Sequence, residues 1–337
     1  MEAKFRYHLT RDFTLTIYER GCVVTNGQKS VTAVQARGVR KQFGAIAAVD
    51  GLDMEVQAGE IFGLVGPDGA GKTTTLRMLC GILDPSAGTA EVAGIDVFRN
   101  PEAVKPLIGY MPQRFSLYGD LTVAENLLFF ANIYRVPKAE RLAREQALLD
   151  ASRMTPFHDR LAQHLSGGMK QKLALACTLI HTPRVLFLDE PTTGVDPVSR
   201  RDFWKILYGL VKEGVTLVVS TPYMDEAERC NRVALMAKGR ILLCDTPAAL
   251  KTHMHGELLE VIAEPQRQVR DILTAQPFIR HVQVFGDRLH LGVDDAEVDT
   301  PRVSAALAHP EITLSSIRQV IPSLEDVFIS IVAEDTA

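Results

Sequence analysis

Between Gly66 and Thr73 the chain reads Gly-Pro-Asp-Gly-Ala-Gly-Lys-Thr, which fits the pattern G-x-x-x-x-G-K-[ST] without a mismatch. Before it, Ile61-Phe62-Gly63-Leu64-Val65 is an apolar burst short enough for a buried parallel strand. After it, Thr74-Thr75-Leu76-Arg77-Met78-Leu79-Cys80 can continue as a helix. The glycine-rich turn therefore sits where a strand hands over to a helix. Such a turn lets successive backbone N–H groups converge without obstruction from Cβ atoms, and the helix start adds the positive end of its dipole. Clustered phosphate oxygens suit that place, with Lys72 reaching the β and γ phosphates and Thr73 offering a hydroxyl to Mg²⁺.

A chain of 337 residues suits two domains, a larger and a smaller, and a hydrophobic share of 46% is ample for a real core. From about Ala33 to Ala249, strands alternate with helices, the signature of an α/β domain with a largely parallel sheet. Val185-Leu186-Phe187-Leu188, Val215-Thr216-Leu217-Val218-Val219 and Val233-Ala234-Leu235-Met236 are apolar throughout, as strands covered on both faces should be. A helical, amphipathic block, placed at about residues 113–180, reads as an insertion into that domain. Beyond about Lys251 the pattern is strand, helix, hairpin, a helix near Thr300 to Ala308, a strand around Ile317, and a last helix opened by Ser323 with Asp326 in capping-box spacing.

The expected organisation is thus an N-terminal extension over 1–33, an α/β sheet domain over 34–250 and a small α+β domain over 251–337. Weak alternation at Phe13 to Tyr18 and the turn dipeptide Asn26-Gly27 make the extension either a small β-rich piece or an appendage without fixed structure.

A formal net charge of −4 argues against nucleic acid as a main partner, because a face that grips such a backbone makes a domain basic. Cys22, Cys80, Cys177, Cys230 and Cys244 lie far apart with no C-x-x-C pair, and read as small core residues in a reducing compartment. No apolar run is long enough for a membrane-spanning helix, and the N-terminus lacks the apolar stretch of an ordinary secretory signal. The expected location is the cytoplasm, or a membrane surface where a partner holds the chain.

Two further segments bear on phosphate chemistry. Val185-Leu186-Phe187-Leu188-Asp189-Glu190 ends an apolar strand in two carboxylates, at the strand end where α/β sheets bind ligands. Asp189 is the natural Mg²⁺ partner, and Glu190 can orient or deprotonate an attacking water. Leu165-Ser166-Gly167-Gly168-Met169-Lys170-Gln171 opens a helix with Ser166 as its cap, and Met169, Leu173, Ala176 and Ile180 follow at helical spacing. A second helix start without a lysine of its own suits a γ-phosphate contributed by another surface.

Taken together, Leu165 to Met169, the Gly66 loop, Tyr110-Met111-Pro112-Gln113, Asp189-Glu190-Pro191 and Thr193-Gly194-Val195-Asp196-Pro197 resemble the ATPase subunit of an ABC transporter, over residues from about 34 to 250. The resemblance implies a P-loop NTPase sheet domain and a head-to-tail dimer holding two ATP molecules. Each lies between the phosphate loop of one subunit and the Ser166-Gly167-Gly168 helix of the other. It implies that Phe43 stacks on adenine and that Gly66, Pro67, Asp68, Gly69, Ala70, Gly71, Lys72, Thr73 and Thr74 hold the phosphates. Thr73, Asp189 and Gln113 attend Mg²⁺, Glu190 and Gln113 serve hydrolysis, and Asp196 signals across the dimer.

The ending Pro322-Ser323-Leu324-Glu325-Asp326-Val327-Phe328 is similar to the accessory domain that follows the ATPase in ABC-2 type exporters, and Tyr223-Met224-Asp225-Glu226-Ala227-Glu228 points the same way. The expectation is an ATP-binding and ATP-hydrolysing subunit, peripheral on the cytoplasmic face of the cell membrane. It would energise export of a drug, polysaccharide or other amphiphile through a separate integral membrane permease. Its partner ATPase domain is an identical chain or a different one.

Two departures stand out. Where the family carries a histidine that contacts the γ-phosphate, this chain reads Ser220-Thr221-Pro222, and proline offers neither a side-chain donor nor a backbone N–H. Asp68 stands where Asn or Ser is usual. They support an alternative, a nucleotide-gated dimerisation subunit whose own site hydrolyses weakly; Glu190 disfavours it. A third class, soluble ABC proteins of translation or DNA repair, needs two ATPase domains or long heptad arms, and neither is present.

Overall fold

Val185–Asp189, Thr216–Thr221 and Ile61–Val65 have no exposed residue, and these fully buried runs form the middle of one parallel sheet. The computed structural model describes residues 7–9, 15–17, 31–114 and 117–334. It comprises two units, one running to Tyr223 and including Cys230–Ile241, the other made of Met224–Arg229 and the chain from Leu242 on.

In the first unit, strands β1 (Tyr7–Leu9) and β2 (Leu15–Ile17) pair antiparallel. β2 falls within the weakly alternating stretch, whereas Asn26-Gly27 lies outside the described residues. Strands β3 (Thr32–Phe43) and β4 (Ile46–Gln57) then form a long antiparallel pair, followed by β5 (Ile61–Val65), helix α1 (Lys72–Leu79), and strands β6 (Ala87–Val92) and β7 (Ile95–Asp96). The short α2 (Pro101–Val104) leads to β8 (Ile108–Met111). Helices α3 (Val123–Ile133), α4 (Lys138–Ser152) and α5 (Gly167–Leu179) precede β9 (Val185–Asp189), α6 (Pro197–Lys212) and β10 (Thr216–Thr221). The short α7 (Met224–Ala227) belongs to the second unit, and β11 (Arg232–Ala237) and β12 (Arg240–Asp245) complete the sheet.

The sheet order is β12-β11-β5-β10-β9-β8, with β11, β5, β10, β9 and β8 mutually parallel. One largely parallel sheet was expected for the whole stretch. Instead β3, β4, β6 and β7 form a separate antiparallel sheet in the order β4-β3-β6-β7. The parallel order places β10 between β5 and β9, so the turn leaving β5 and the carboxylates ending β9 lie at the carboxyl ends of these central strands, with the end of β10 between them.

Helix α1 carries Thr73, Thr74 and Thr75, three β-branched residues that together cost roughly 1–2 kcal/mol of helix propensity. Leu76, Met78 and Leu79 are sealed in one core with Phe62, Phe187 and Val34, and each such burial is worth roughly 1.5–3 kcal/mol. Packing therefore decides the conformation. Helices α3, α4 and α5 share a core of their own around Val123, Leu127, Leu149, Leu173 and Cys177. Thr122 and Glu125 close a capping box on α3.

The second unit continues with α8 (Pro247–Lys251), β13 (Glu257–Glu264), α9 (Gln266–Thr274), β14 (Ile279–Phe285), β15 (Arg288–Val293), α10 (Ala296–Ala306), β16 (Thr313–Val320) and α11 (Leu324–Glu334). Its four strands form an antiparallel sheet, β14-β15-β13-β16, and Leu259, Val261, Leu289 and Leu291 pack with Val269, Leu273 and Val303 of α9 and α10. Helix α10 begins four residues before the expected Thr300, because the Asp295 side chain accepts the Val298 N–H and caps it there. Ser323 and Asp326 bond reciprocally at the start of α11, as their spacing indicates.

Cys80, Cys177 and Cys230 are buried, but Cys244 is exposed on β12, contrary to a core role for all, and Cys22 lies outside the described residues. Among the described residues no helix is long and apolar enough to cross a membrane.

Candidate functional site

The turn after β5 owes its shape to two glycines. A Cβ on Gly66 would fall 2.0 Å from the Met236 carbonyl oxygen, and Gly71, at φ 104°, would bring one to 2.4 Å from the Ala48 oxygen. Neither position tolerates another residue without moving backbone. Gly71 is also the N-cap of α1 and supplies no side-chain acceptor, so the first N–H groups of the helix keep their capacity for an anion. Pro67, Asp68 and Gly69 form the exposed rim, while Gly66, Ala70 and Lys72 are buried. Lys72 Nζ folds back along the turn, donating to the Gly66 and Pro67 oxygens at 2.7 and 3.0 Å.

Asp189, fully buried at the end of β9, is the acceptor for three hydroxyls. Thr73 Oγ1 donates to its Oδ1 at 3.0 Å, Ser220 Oγ to the same oxygen at 2.7 Å, and the Tyr110 hydroxyl to Oδ2 at 3.3 Å. Burial, and then the Asp189 charge against a partial offset from Arg77, pushes the Tyr110 phenol up to about 12, so it stays a donor. Burial likewise pushes the nearby Cys80 thiol well up, with Asp189 adding to it.

Glu190 follows in the left-handed region, at φ 49°, where a non-glycine residue is strained. Its N–H is fixed by both the carbonyl and the hydroxyl of Ser220, each at 3.1 Å. That backbone turn sends the carboxylate toward Lys72 Nζ at 3.3 Å, Gln113 Nε2 at 2.8 Å and Thr193 Oγ1 at 3.4 Å. Lys72, Thr73, Asp189, Glu190 and Gln113 thus form one connected group.

A second group forms around helix starts. Ser166 accepts the Met169 N–H and caps α5, and Asp196 accepts those of Val198 and Ser199 and caps α6. Those bonds from the Ser199 and Val198 backbone hold the Asp196 carboxyl below its ordinary value. Gly168 presses so closely on α6 that an added Cβ would meet Ser199 Oγ at 2.4 Å and Asp196 Oδ2 at 3.7 Å. Ser166, Gly167 and Asp196 are exposed together on this surface. Among the described residues no hydrogen bond joins Ser166, Gly167 or Gly168 to the Gly66 turn. Phe43, at the tip of the β3–β4 hairpin, is 49% exposed with Lys41 Nζ 5.1 Å from its ring centre, and Thr74 is half-buried in the first turn of α1. Ser220 was the residue missed in the sequence: its hydroxyl becomes meaningful only through its register opposite Asp189.

Residues 49–193 match the family described as ABC transporter, and residues 246–332 match the family described as ATP-binding protein DrrA1-3-like, C-terminal domain. The Nod factor export ATP-binding protein I of Paraburkholderia xenovorans is 39% identical over 79% of this chain and 87% of its own length. The chain is an ABC transporter ATP-binding protein. The daunorubicin resistance ATP-binding protein DrrA2 of Streptomyces coeruleorubidus is 34% identical, with 90% of this chain and 96% of that protein aligned. The probable multidrug ABC transporter ATP-binding protein YbhF of Escherichia coli is 42% identical over 88% of this chain, which spans 52%, about half, of that relative. Among solved ABC cassettes, an ATP-binding subunit of an ABC transporter superposes with a TM-score of 0.60 at 27% identity, covering 66% of this chain and 92% of that one. A dimeric cassette, MJ0796, in a post-hydrolysis state with ADP and Pi gives 0.58 at 26% identity, covering 63% and 98%.

Proposed function

We propose that this chain is the ATP-binding and ATP-hydrolysing subunit of an ABC-2 type exporter, acting on a separate membrane subunit that selects the substrate. The observation that carries this reading is the gathering of Lys72, Thr73, Asp189, Glu190 and Gln113 at the carboxyl end of the parallel sheet. Residues 34–250 are assigned as the ATP-binding domain, with a helical part at about 113–180, and 251–337 as the accessory domain. Relatives that export Nod factor and confer daunorubicin resistance support an amphiphilic cargo moved outward. A peripheral position at the cytoplasmic membrane face accords with the lack of a spanning helix among the described residues.

ATP fits the turn, whose cramped glycines and uncapped helix start converge donors, and whose Lys72 ammonium is already held inside it. Among the described residues no cluster of three or more His, Cys, Asp or Glu is arranged for a metal. Mg²⁺ fits instead as an ion carried mainly by phosphate oxygens and water, with Thr73 and Asp189 as its protein contacts and Gln113 alongside. When bound, it neutralises phosphate charge. Lys72 exchanges its contacts with Gly66, Pro67 and Glu190 for phosphate. Glu190, thereby released, accepts a proton from or orients a water, and Gln113, bonded to Glu190 now, reports on that change. Phe43 is free to stack on adenine. The Ser166-Gly167-Gly168 start, with Ser166 and Gly167 exposed, and the exposed Asp196 serve the nucleotide of a second ATPase subunit, of identical or different sequence.

Pro222 supports a second reading, in which ATP chiefly clamps a dimer and this chain's own site turns over slowly. The test common to both readings uses Glu190→Gln chain with Mg-ATP. Tighter subunit pairing by light scattering is expected, and Lys72→Ala should abolish it. If Glu190→Gln pairs no more tightly with itself or with any copurifying ATPase subunit, the shared-nucleotide picture is lost.

A further inference from the structure

We propose that Ser220 is a positioning residue that locks the two carboxylates of the site into one rigid unit. This assignment rests on the nucleotide-site reading above and adds to it a residue outside the motifs. Parallel pairing sets Ser220 opposite Asp189, on the same face of neighbouring buried strands, and both are wholly sealed from solvent. The hydroxyl is used in both directions. It donates to Asp189 Oδ1 at 2.7 Å and accepts the Glu190 N–H at 3.1 Å, while the Ser220 carbonyl accepts the same N–H.

Each bond meets a separate need. Asp189 Oδ1 also receives Thr73 Oγ1, so Ser220 fixes the rotation of the carboxylate that shares the metal position with Thr73. Outer-shell hydrogen bonds of this kind orient ligands, and removing one typically costs about 10–100-fold in metal affinity or activity. Glu190, in turn, sits at φ 49°, a conformation that persists only where its surroundings enforce it. Ser220 is the enforcing neighbour, and the Glu190 carboxylate reaches Lys72 and Gln113 because of that turn. An alanine would keep the carbonyl contact and lose both hydroxyl bonds, leaving a buried carboxylate oxygen with one donor fewer. A buried serine that merely satisfied itself would bond within its own strand. This one joins β10 to the two residues on which the chemistry depends.

The experiment compares the full chain with Ser220→Ala, Ser220→Thr and Ser220→Val, the last two being matched in shape and differing in the hydroxyl. Binding of a fluorescent ATP analogue in EDTA should be unchanged in all four, since Ser220 touches no phosphate-holding group. Mn²⁺ affinity of the ATP-loaded chain, followed by electron paramagnetic resonance of free Mn²⁺, should fall about tenfold or more in Ala and Val, with kcat falling alongside, and stay near parent in Thr. Parent-like Mn²⁺ affinity and kcat in Ser220→Ala, or in Ser220→Val, would overturn the assignment. Failure of the parent itself to bind the analogue overturns the nucleotide site, and is distinguishable from both.

Discussion

Lys72 Nζ stands 3.3 Å from Glu190 Oε1, with the two side chains only 4% and 7% exposed. Desolvation offsets much of the attraction in such a pair, yet removing one partner strands the other and costs roughly 3–5 kcal/mol. Lys72→Met should therefore loosen the site even without nucleotide, although Gln113 and Thr193 still donate to Glu190. In Lys72→Met/Glu190→Gln the stranded charge is gone, and the loss should be smaller than the sum of the singles by about 1–3 kcal/mol. Hydrogen exchange of the Val185–Asp189 amides reads this locally; simple additivity would show that the pair is not coupled.

The close approach of Gly168 to Ser199 makes a second, reversible prediction. Gly168→Ala must push α5 off α6, because both Ser199 Oγ and Ser199 Cβ lie within about 2.5 Å of the new methyl. Overpacking of this order costs roughly 1–3 kcal/mol and displaces the exposed Ser166 cap. Ser199→Gly, added to Gly168→Ala, should restore most of the stability and of the ATP-dependent pairing. If the second change brings nothing back, the glycine is needed for another reason.

Thr221 closes β10 by accepting the Gly66 N–H at 3.4 Å, so the next residue, Pro222, borders the phosphate turn. A histidine there would place a donor where proline has none. Since one preorganised transition-state donor is worth roughly 3 kcal/mol, Pro222→His should raise ATP turnover of the purified chain by about a hundredfold or more. Unchanged turnover would count against a role for Pro222 in slowing this site.

What could be read from the chain, and what could not, follows the range of the interactions. The strand, turn and helix around Gly66 and the carboxylate pair after Leu188 are local patterns, legible because apolar runs and glycines act within a few residues. The antiparallel sheet containing β3 and β4 was not legible. Their pairing shifts register at several points, from Thr32 to Gln42, which blurs the alternation that marks a strand. Nor was Ser220, since a hydroxyl at the end of an apolar strand acquires its role only from the neighbouring strand. The exposure of Cys244 likewise depends on β12 lying at the sheet's edge.

Acid should weaken the helical part through His181. Its ring stacks on Tyr134 with centres 3.7 Å apart, and its Nε2 donates to the Ile108 oxygen at 2.8 Å, which leaves Nδ1 as a buried atom without a partner. Burial first, with Arg144 adding to it and the Ile108 bond opposing, lowers its pKa from 6.5 to about 4. The folded chain thus keeps the imidazole neutral where the unfolded chain protonates it. Stability from this group is fully present above pH 6.5 and is lost as the pH falls toward 4, at about 1.4 kcal/mol per unit, or about 2 kcal/mol by pH 5. His181→Gln keeps a donor for Ile108 and removes the titration, so its acid sensitivity over that window should be smaller than the parent's. Hydrogen exchange of the α5 amides at a series of pH values measures the difference, and equal slopes for parent and variant would show that another group carries the acid response.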